Sequence, residues 1–393
     1  MSIIIFGDLF TFPEGSAATN RVYTYARGFI ENGINVHVIC FENSYLDLKA
    51  GIVDRMYYYH PFPPRKRSKY FMVRSWQKGL KCINTILLVR KINKADKTIA
   101  INGWSDLLFT HLLGYLLSRI ANTKYIIECS EHPLKDYQSN ALKRGLGSLI
   151  FHLEAFFSDG AFCISHFLIN FYKANGVDSR KLFLVPSTVD PNRFSILRNK
   201  PVDYKYIGYF GSLTFARDNI DMLIKAYADF SRNHGDIHLI LGGFCSDTEK
   251  MNIINLIATL NIKEKVLLLD FLTREEILQY VIHADILVMV RANELQGQAS
   301  YPSKLTEFLA TSKPVIAVNA GEISLYLKDG EEAFLVQPGD INGLVEKLDF
   351  VYSNPIIATK VGQRGKNLTE TIFNYKYQAE RMVGFIKSLY NDG

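Results

Sequence analysis

The chain predicts an α/β protein of two domains, each a doubly wound parallel sheet, and three observations carry this. Its 393 residues exceed what one hydrophobic core usually organises. Short apolar runs alternate with helical patterns through both halves. Residues 195–204 are polar and aperiodic, and the alternation restarts only at Tyr206.

In the first half, Ile3–Phe6 reads as a strand, followed by a loop through Gly15 and a helix from about Ser16 to Asn32 that Gly33 ends. Val36–Phe41 is the second strand. Strands at Thr98–Asn102, Tyr125–Glu128, Ala161–Ile164 and Leu182–Val185 follow, separated by helices at Leu107–Ile120, Gly145–Phe157 and His166–Asn175. In the second half, strands at Tyr206–Phe210, His238–Leu241, Val266–Leu269, Ile286–Val290, Val315–Val318 and Ala333–Val336 alternate with helices. Those helices are Ile220–Asn233, Lys250–Thr259, Arg274–His283, Ile341–Tyr352 and a last one at Tyr375–Leu389. The expected domains are 1–200, completed by the C-terminal helix 375–393, and 201–374. Two such sheets facing one another would leave their strand C-termini around a shared cleft, where ligands bind in open α/β sheets.

Composition bounds the class. Hydrophobic content of 48% with 21% charged residues is that of a globular protein. The start has no basic region before its apolar run, so it reads as a buried strand rather than a signal peptide. The longest uncharged apolar stretch lies between Asp106 and Arg119, well short of the roughly 20 residues a membrane span needs. Five scattered cysteines without a CxxC pair read as reduced thiols in a cytoplasmic protein. Residues 1–200 hold 26 Lys and Arg against 15 Asp and Glu, and the remainder 19 against 24, giving the overall +6. The basic excess peaks at Arg65, Lys66, Arg67 and Lys69, interleaved with aromatics such as Tyr57, Tyr70 and Trp76. This suits an anionic membrane surface contacted through 55–81, or equally a solvated basic loop. No nucleic-acid module surrounds it.

The most informative stretch is Tyr301-Pro302-Ser303-Lys304-Leu305-Thr306-Glu307-Phe308, followed by Lys313-Pro314-Val315-Ile316. Pro302 fits the start of a helix. Ser303 and Glu307 share one face near its N-terminus. Free N–H groups, the positive dipole end and Lys304 make an anion site. Glu307, one turn in, can accept two hydroxyl hydrogen bonds, as a ribose offers. Diphosphate plus ribose means a nucleotide. The same pattern also fits an ordinary surface helix with a capping serine and a solvated glutamate.

The order of Pro, Ser, Lys and Glu before Lys-Pro-Val-Ile resembles the donor-nucleotide motif of the group-1, family-4-like retaining GT-B glycosyltransferases of bacterial polysaccharide biosynthesis. Pro186 to Phe194 is similar to that family's interdomain segment, so the resemblance covers nearly the whole chain. It implies a GT-B fold of two Rossmann-like domains, with the acceptor in the first and the donor in the second. Donor binding falls to Gly15 and Ser16 in the first loop, and to Gly211, Ser212, Arg217, Gly243, Phe271, Ser303, Lys304, Leu305 and Glu307. The family commonly places two basic residues after the first strand of this half. Here Ser212 stands at the first position and Arg217 at the second, and Arg217 could instead pair with Asp218 or Asp221. The family's upstream glutamate is replaced by Ala299, with Glu294 nearby. Asn20, Arg21 and Trp104 fall on the acceptor side. Near the reacting sugar the family carries a histidine; His132 is the candidate, with Ser130 able to take its place and Glu131 a polar partner. The catalytic set is then His132, Glu131, Arg217 and Lys304, with no metal and no cofactor beyond the UDP- or GDP-sugar donor.

The resemblance implies a retaining transfer to a lipid-linked glycan, on the inner face of a membrane, in surface polysaccharide assembly. A GT-B sugar-nucleotide epimerase and an inactive scaffold subunit are the alternatives. No Asp-x-Asp, GxGxxG after Phe6, GxxxxGK[ST] or HExxH occurs, which argues against metal-clamp transferases, dehydrogenases, P-loop proteins and zinc peptidases. Sugar, base, acceptor hydroxyl and oligomeric state are not legible.

Overall fold

The computed structural model describes residues 1–15, 17–42, 49–62, 68–196, 199–270 and 272–391. Ser16, Phe271, Arg65, Lys66 and Arg67 therefore lie outside the described residues. The chain divides into two compact units, Met1–Thr188 with the segment from Tyr375, and Val189–Asn374. Each has its own hydrophobic core.

The first unit contains strands β1 (Ser2–Gly7), β2 (Asn35–Cys40), β3 (Ala50–Val53), β4 (Met56–Tyr59), β5 (Thr98–Trp104), β6 (Lys124–Cys129), β7 (Gly160–Cys163) and β8 (Leu182–Leu184). They form one sheet in the order β3-β4-β2-β1-β5-β6-β7-β8. All neighbours are parallel except β3, which runs antiparallel to β4. Ile3 pairs with Val36 on one side and Ala100 on the other, so β1 is central, and it is buried along its whole length. The helices are α1 (Ala17–Glu31), α2 (Phe71–Ala95), α3 (Leu108–Ala121), α4 (Ala141–Phe156) and α5 (His166–Ala174). Asn140 and Ser165 cap α4 and α5 by accepting from the N–H groups of Lys143 and Leu168.

The second unit contains β9 (Lys205–Phe210), β10 (Ile237–Gly242), β11 (Val266–Leu269), β12 (Ile286–Met289), β13 (Val315–Val318) and β14 (Phe334–Val336). Their order is β11-β10-β9-β12-β13-β14, every pair parallel. Its helices are α6 (Phe215–Asp218), α7 (Ile220–Phe230), α8 (Asp247–Thr259), α9 (Arg274–His283), α10 (Leu295–Ala299), α11 (Ser303–Ala310), α12 (Ile323–Tyr326), α13 (Ile341–Ser353) and α14 (Pro355–Glu370). A capping box between Thr273 and Glu276 starts α9. The last helix, α15 (Tyr375–Asn391), returns to the first unit and packs along α1.

Three departures from the sequence expectations have local causes. The units divide at Thr188/Val189 rather than at 200/201, because Val189 bridges to Asn374 and the turn Pro191–Phe194 packs on α11 and α14. Helix α2 was not expected, since its apolar residues lie on two opposite sides and mask the single-stripe signature. Helix α14 was also missed: two glycines interrupt its pattern. A Cβ at Gly362 would meet the Ser312 carbonyl oxygen at 2.4 Å, and one at Gly365 the Glu332 carbonyl oxygen at 2.5 Å. The glycines are there so that the helix can lie against backbone.

Candidate active site

Two glycine turns open the site in the second unit. Gly211 follows β9 and Gly243 follows β10, adjacent strands whose C-terminal ends lie side by side. The Gly211 N–H donates to the Gly242 carbonyl at 2.9 Å, and the Leu213 N–H to that of Phe244 at 2.9 Å. Gly243 has φ +143°, and a Cβ there would sit 1.7 Å from the Gly211 carbonyl oxygen. No other residue fits, so the two turns interlock and present bare backbone.

The turn after Gly211 runs into α6, which carries Arg217 and Asp218. Thr214 Oγ1 donates to Asp218 Oδ2 at 2.6 Å. Asn219, at φ +49°, separates α6 from α7 and frees α6 to turn independently. The Arg217 carbonyl accepts the Ala292 N–H at 3.0 Å, which ties α6 to the loop after β12. Arg291 sits in that loop, buried, donating to Ser300 Oγ at 2.6 Å and the Gln296 carbonyl at 3.1 Å.

Helix α11 follows. Its N-terminus has Pro302 at the cap position and no side-chain cap, and of its first-turn amides that of Leu305 is taken by the Pro302 carbonyl. Leu305, Phe308 and Leu309 anchor it in the core. Lys304 and Glu307 are partly buried on the other side. Burial pulls the Lys304 pKa below the usual lysine range; Glu307 and Asp218 oppose this and Arg217 adds to it. Arg291 is held down likewise by burial and by Arg217, against Asp218 and Glu294. Three cations and three carboxylates thus share one electrostatic neighbourhood at the strand C-terminal edge.

The structure therefore gathers Gly211, Ser212, Arg217, Gly243, Ser303, Lys304 and Glu307 around one edge of the second unit. Leu305 is a correction: it is fully buried and its N–H is taken by the Pro302 carbonyl at 3.0 Å, so it packs rather than binds. Arg291 was not anticipated from sequence. An arginine just after a buried strand was the available signal, but only loop 291–300 reveals where it lies.

In the first unit, Gly15 sits in a loop fastened by Thr11, whose hydroxyl donates to the Glu14 carbonyl at 2.5 Å, and by Thr19, whose hydroxyl donates to the Thr11 carbonyl at 2.7 Å. Asn20 is partly exposed on the first turn of α1. Two acceptor expectations are overturned by burial. Arg21 Nε donates to Glu128 Oε1 at 2.8 Å, and its terminal nitrogens to the Val185 and Pro186 carbonyls at 2.7 and 3.0 Å. Trp104 lies in the core, its Nε1 donating to Asn102 Oδ1 at 2.6 Å.

His132 is buried between Phe167 and Phe171, and burial lowers its pKa, which favours a neutral ring. Its Nδ1 accepts the Leu134 N–H at 3.1 Å, which puts the ring proton on Nε2. Glu131 is paired with Lys135, which also donates to Asp106 at 2.7 Å.

Residues 193–368 match the family model described as glycosyl transferases group 1. A curated relative, an uncharacterized glycosyltransferase of Methanocaldococcus jannaschii, is 24% identical over 306 residues, covering 76% of this chain and 79% of its own. Among solved structures, sucrose-phosphate synthase from Thermosynechococcus elongatus superposes with a TM-score of 0.74 at 15% identity, each chain covered fully. Anabaena HepE, solved with UDP-glucose, gives 0.69 at 13% identity over 99% of this chain and 100% of its own. The fold is GT-B, and the second unit contains a segment that matches the group 1 glycosyl transferases.

Proposed function

We propose that the chain is a retaining glycosyltransferase that moves a sugar from a UDP- or GDP-sugar to a lipid-linked glycan at a membrane surface, in the assembly of a surface polysaccharide. The observation that carries the donor half is Lys304, with Arg217 in its electrostatic neighbourhood, at the uncapped N-terminus of α11. Such a group of cations and amides suits a diphosphate, and Glu307 one turn in suits the ribose hydroxyls. The HepE structures with UDP and UDP-glucose support a uridine donor.

Chemistry in this reading is leaving-group stabilisation. The glycosidic C–O bond to the diphosphate breaks, and charge builds on the departing oxygens. Arg217, Lys304 and the first amides of α11 neutralise that charge without a metal ion. The acceptor hydroxyl attacks from the face the leaving group vacates and passes its proton to a departing diphosphate oxygen, so configuration is retained with no covalent enzyme intermediate.

The test is incubation of the full chain with UDP-, GDP- and ADP-sugars, with and without lipid extract, following nucleotide release in the presence of EDTA. Release that lipid stimulates, unaffected by EDTA, with an α-linked product from an α-linked donor, supports the reading. Isomerised sugar nucleotide, or no release with any donor, would refute it. Glu307→Gln is expected to raise the donor KM with little change in kcat.

A further inference from the structure

The loop between β12 and α11 joins the two helices that carry Arg217 and Lys304. At one end the Ala292 N–H donates to the Arg217 carbonyl at 3.0 Å. At the other, Ser300 and Tyr301 lead straight into Pro302 and α11. Between these ends the loop folds back on itself. The Gln298 N–H donates to the Glu294 carbonyl at 2.9 Å, and a Cβ at Gly297 would sit 2.4 Å from the Ala292 carbonyl oxygen. Gly321, at φ +64°, backs the same place, since a Cβ there would lie 2.6 Å from the Gly297 carbonyl oxygen. Helix α10 is thus pressed between the start of its own loop and the turn after β13. Tyr301 is buried with its ring 5.3 Å from those of Tyr326 and Phe373, which fixes the last step into α11.

Arg291 spans this fold. Its Nη2 donates to Ser300 Oγ at 2.6 Å and to the Gln296 carbonyl at 3.1 Å, so the first residue of the loop holds its end. Ser300 Oγ itself donates to the Gln296 carbonyl at 2.7 Å. That bond closes the loop without any guanidinium, so satisfying these two oxygens does not require an arginine. The side chain is 8% exposed and both acceptors are neutral, whereas a buried charge ordinarily has a carboxylate beside it. Burial and the like charge of Arg217 work against its ionised form, with Asp218 and Glu294 offsetting them. A loop built for stability alone would carry an apolar side chain here. A cation kept in spite of this belongs to a site whose ligand is an anion.

We propose that Arg291 is a positioning residue of the transfer reaction. Through the adjoining Ala292 amide it fixes α6 with its Arg217, and through Ser300 it fixes the entry to α11, so Arg217 and Lys304 keep one separation. The proposal rests on the donor reading above and adds to it the part that sets the geometry of the two cations. Arg291 acts through Arg217 and α11, and its effect falls on the step in which charge builds on the leaving group.

The test measures nucleotide release by the full chain from a UDP-sugar, as kcat and donor KM, beside a thermal melt. Arg291→Met removes the charge and both donated bonds but leaves the closure between Ser300 and Gln296. It is expected to lower kcat on the order of tenfold, to change KM less than kcat, and to leave the melting midpoint unchanged or higher. Arg291→Lys, which restores a charged donor, should recover most of the lost kcat. A double-mutant cycle supplies the readout that a merely structural role would not move. Arg217→Ala, expected to cost on the order of 100-fold in the native background, should cost about tenfold or less once Arg291 is replaced, because Arg217 is by then out of place. Losses that simply multiply would overturn the proposal, and so would full kcat in folded Arg291→Met. Should Arg291→Met fail to fold, Ser300→Ala removes the acceptor instead, and the same cycle against Arg217→Ala decides. Unchanged kcat in Arg217→Ala alone would defeat the donor reading and this proposal with it, whereas multiplying losses would leave the donor reading standing.

Discussion

Lys304 is a cation kept where water is scarce. Desolvation lowers its pKa, so its ammonium is more easily lost than that of a free lysine as pH rises. Only the charged form helps a diphosphate leave. In the donor-free enzyme kcat/KM should therefore fall on the alkaline side at a pH below the ordinary lysine range near 10.4. Lys304→Arg, whose guanidinium stays charged, should move that limb up or remove it. Lys304→Ala and Arg217→Ala are each expected to lower kcat on the order of 100-fold, equivalent to about 3 kcal/mol of lost leaving-group stabilisation. Single-turnover kinetics with saturating donor checks this, and unchanged kcat in both variants would end the proposed role. Arg21 belongs to a different ledger. It compensates the buried Glu128 carboxylate, whose pKa burial nevertheless pushes upward, and it holds the carbonyls of Val185 and Pro186. Arg21→Ala is expected to destabilise the first unit by about 3–5 kcal/mol, read in a denaturant melt, because a buried carboxylate is left alone. An acceptor-contacting arginine would instead raise acceptor KM at constant stability. Sequence placed Ser303 and Glu307 on one helix face because the helical repeat is local. It misplaced Arg21 and Trp104 because burial depends on strands distant in the chain.

At the scale of elements, the proposed donor edge depends on a turn at Gly243 that fits only as glycine. At Gly243 the backbone lies at φ +143° with the Gly211 carbonyl directly behind it. Gly243→Ala should displace the turn after β9 together with α6 and its Arg217. A strained backbone of this kind costs about 1–3 kcal/mol, before the clash is added. Titration calorimetry with UDP or GDP should show at least a tenfold loss of affinity while far-UV circular dichroism is retained; unaltered affinity would show that the two turns do not depend on each other. Strand-helix alternation, the ends of α9 and α15, and the start of α11 were legible from caps, proline and period. Helix α2 was not, because an outward apolar stripe breaks the rule that apolar residues point inward.

For the whole molecule, α15 links chain end to chain start. Its Met382, Val383, Phe385 and Ile386 join the core that Ile3, Val22 and Phe29 build. Each such side chain contributes about 1.5–3 kcal/mol on burial, so together they approach the net stability of a whole domain. Ending the chain at Asn374 should therefore leave the first unit unable to fold, seen as loss of its cooperative transition in calorimetry and insolubility on expression. A truncated chain with an unchanged melt would contradict that. The division of the chain into two α/β halves, the donor helix with its Lys304 and Glu307, and the glycine turns were determined by sequence alone, because each follows from local period, caps or a residue type that fits only one backbone. The boundary at Thr188, the burial of Arg21 and the arrival of Arg291 beside Arg217 were decided only by tertiary structure. They depend on which distant segments pack together, and no local pattern encodes that.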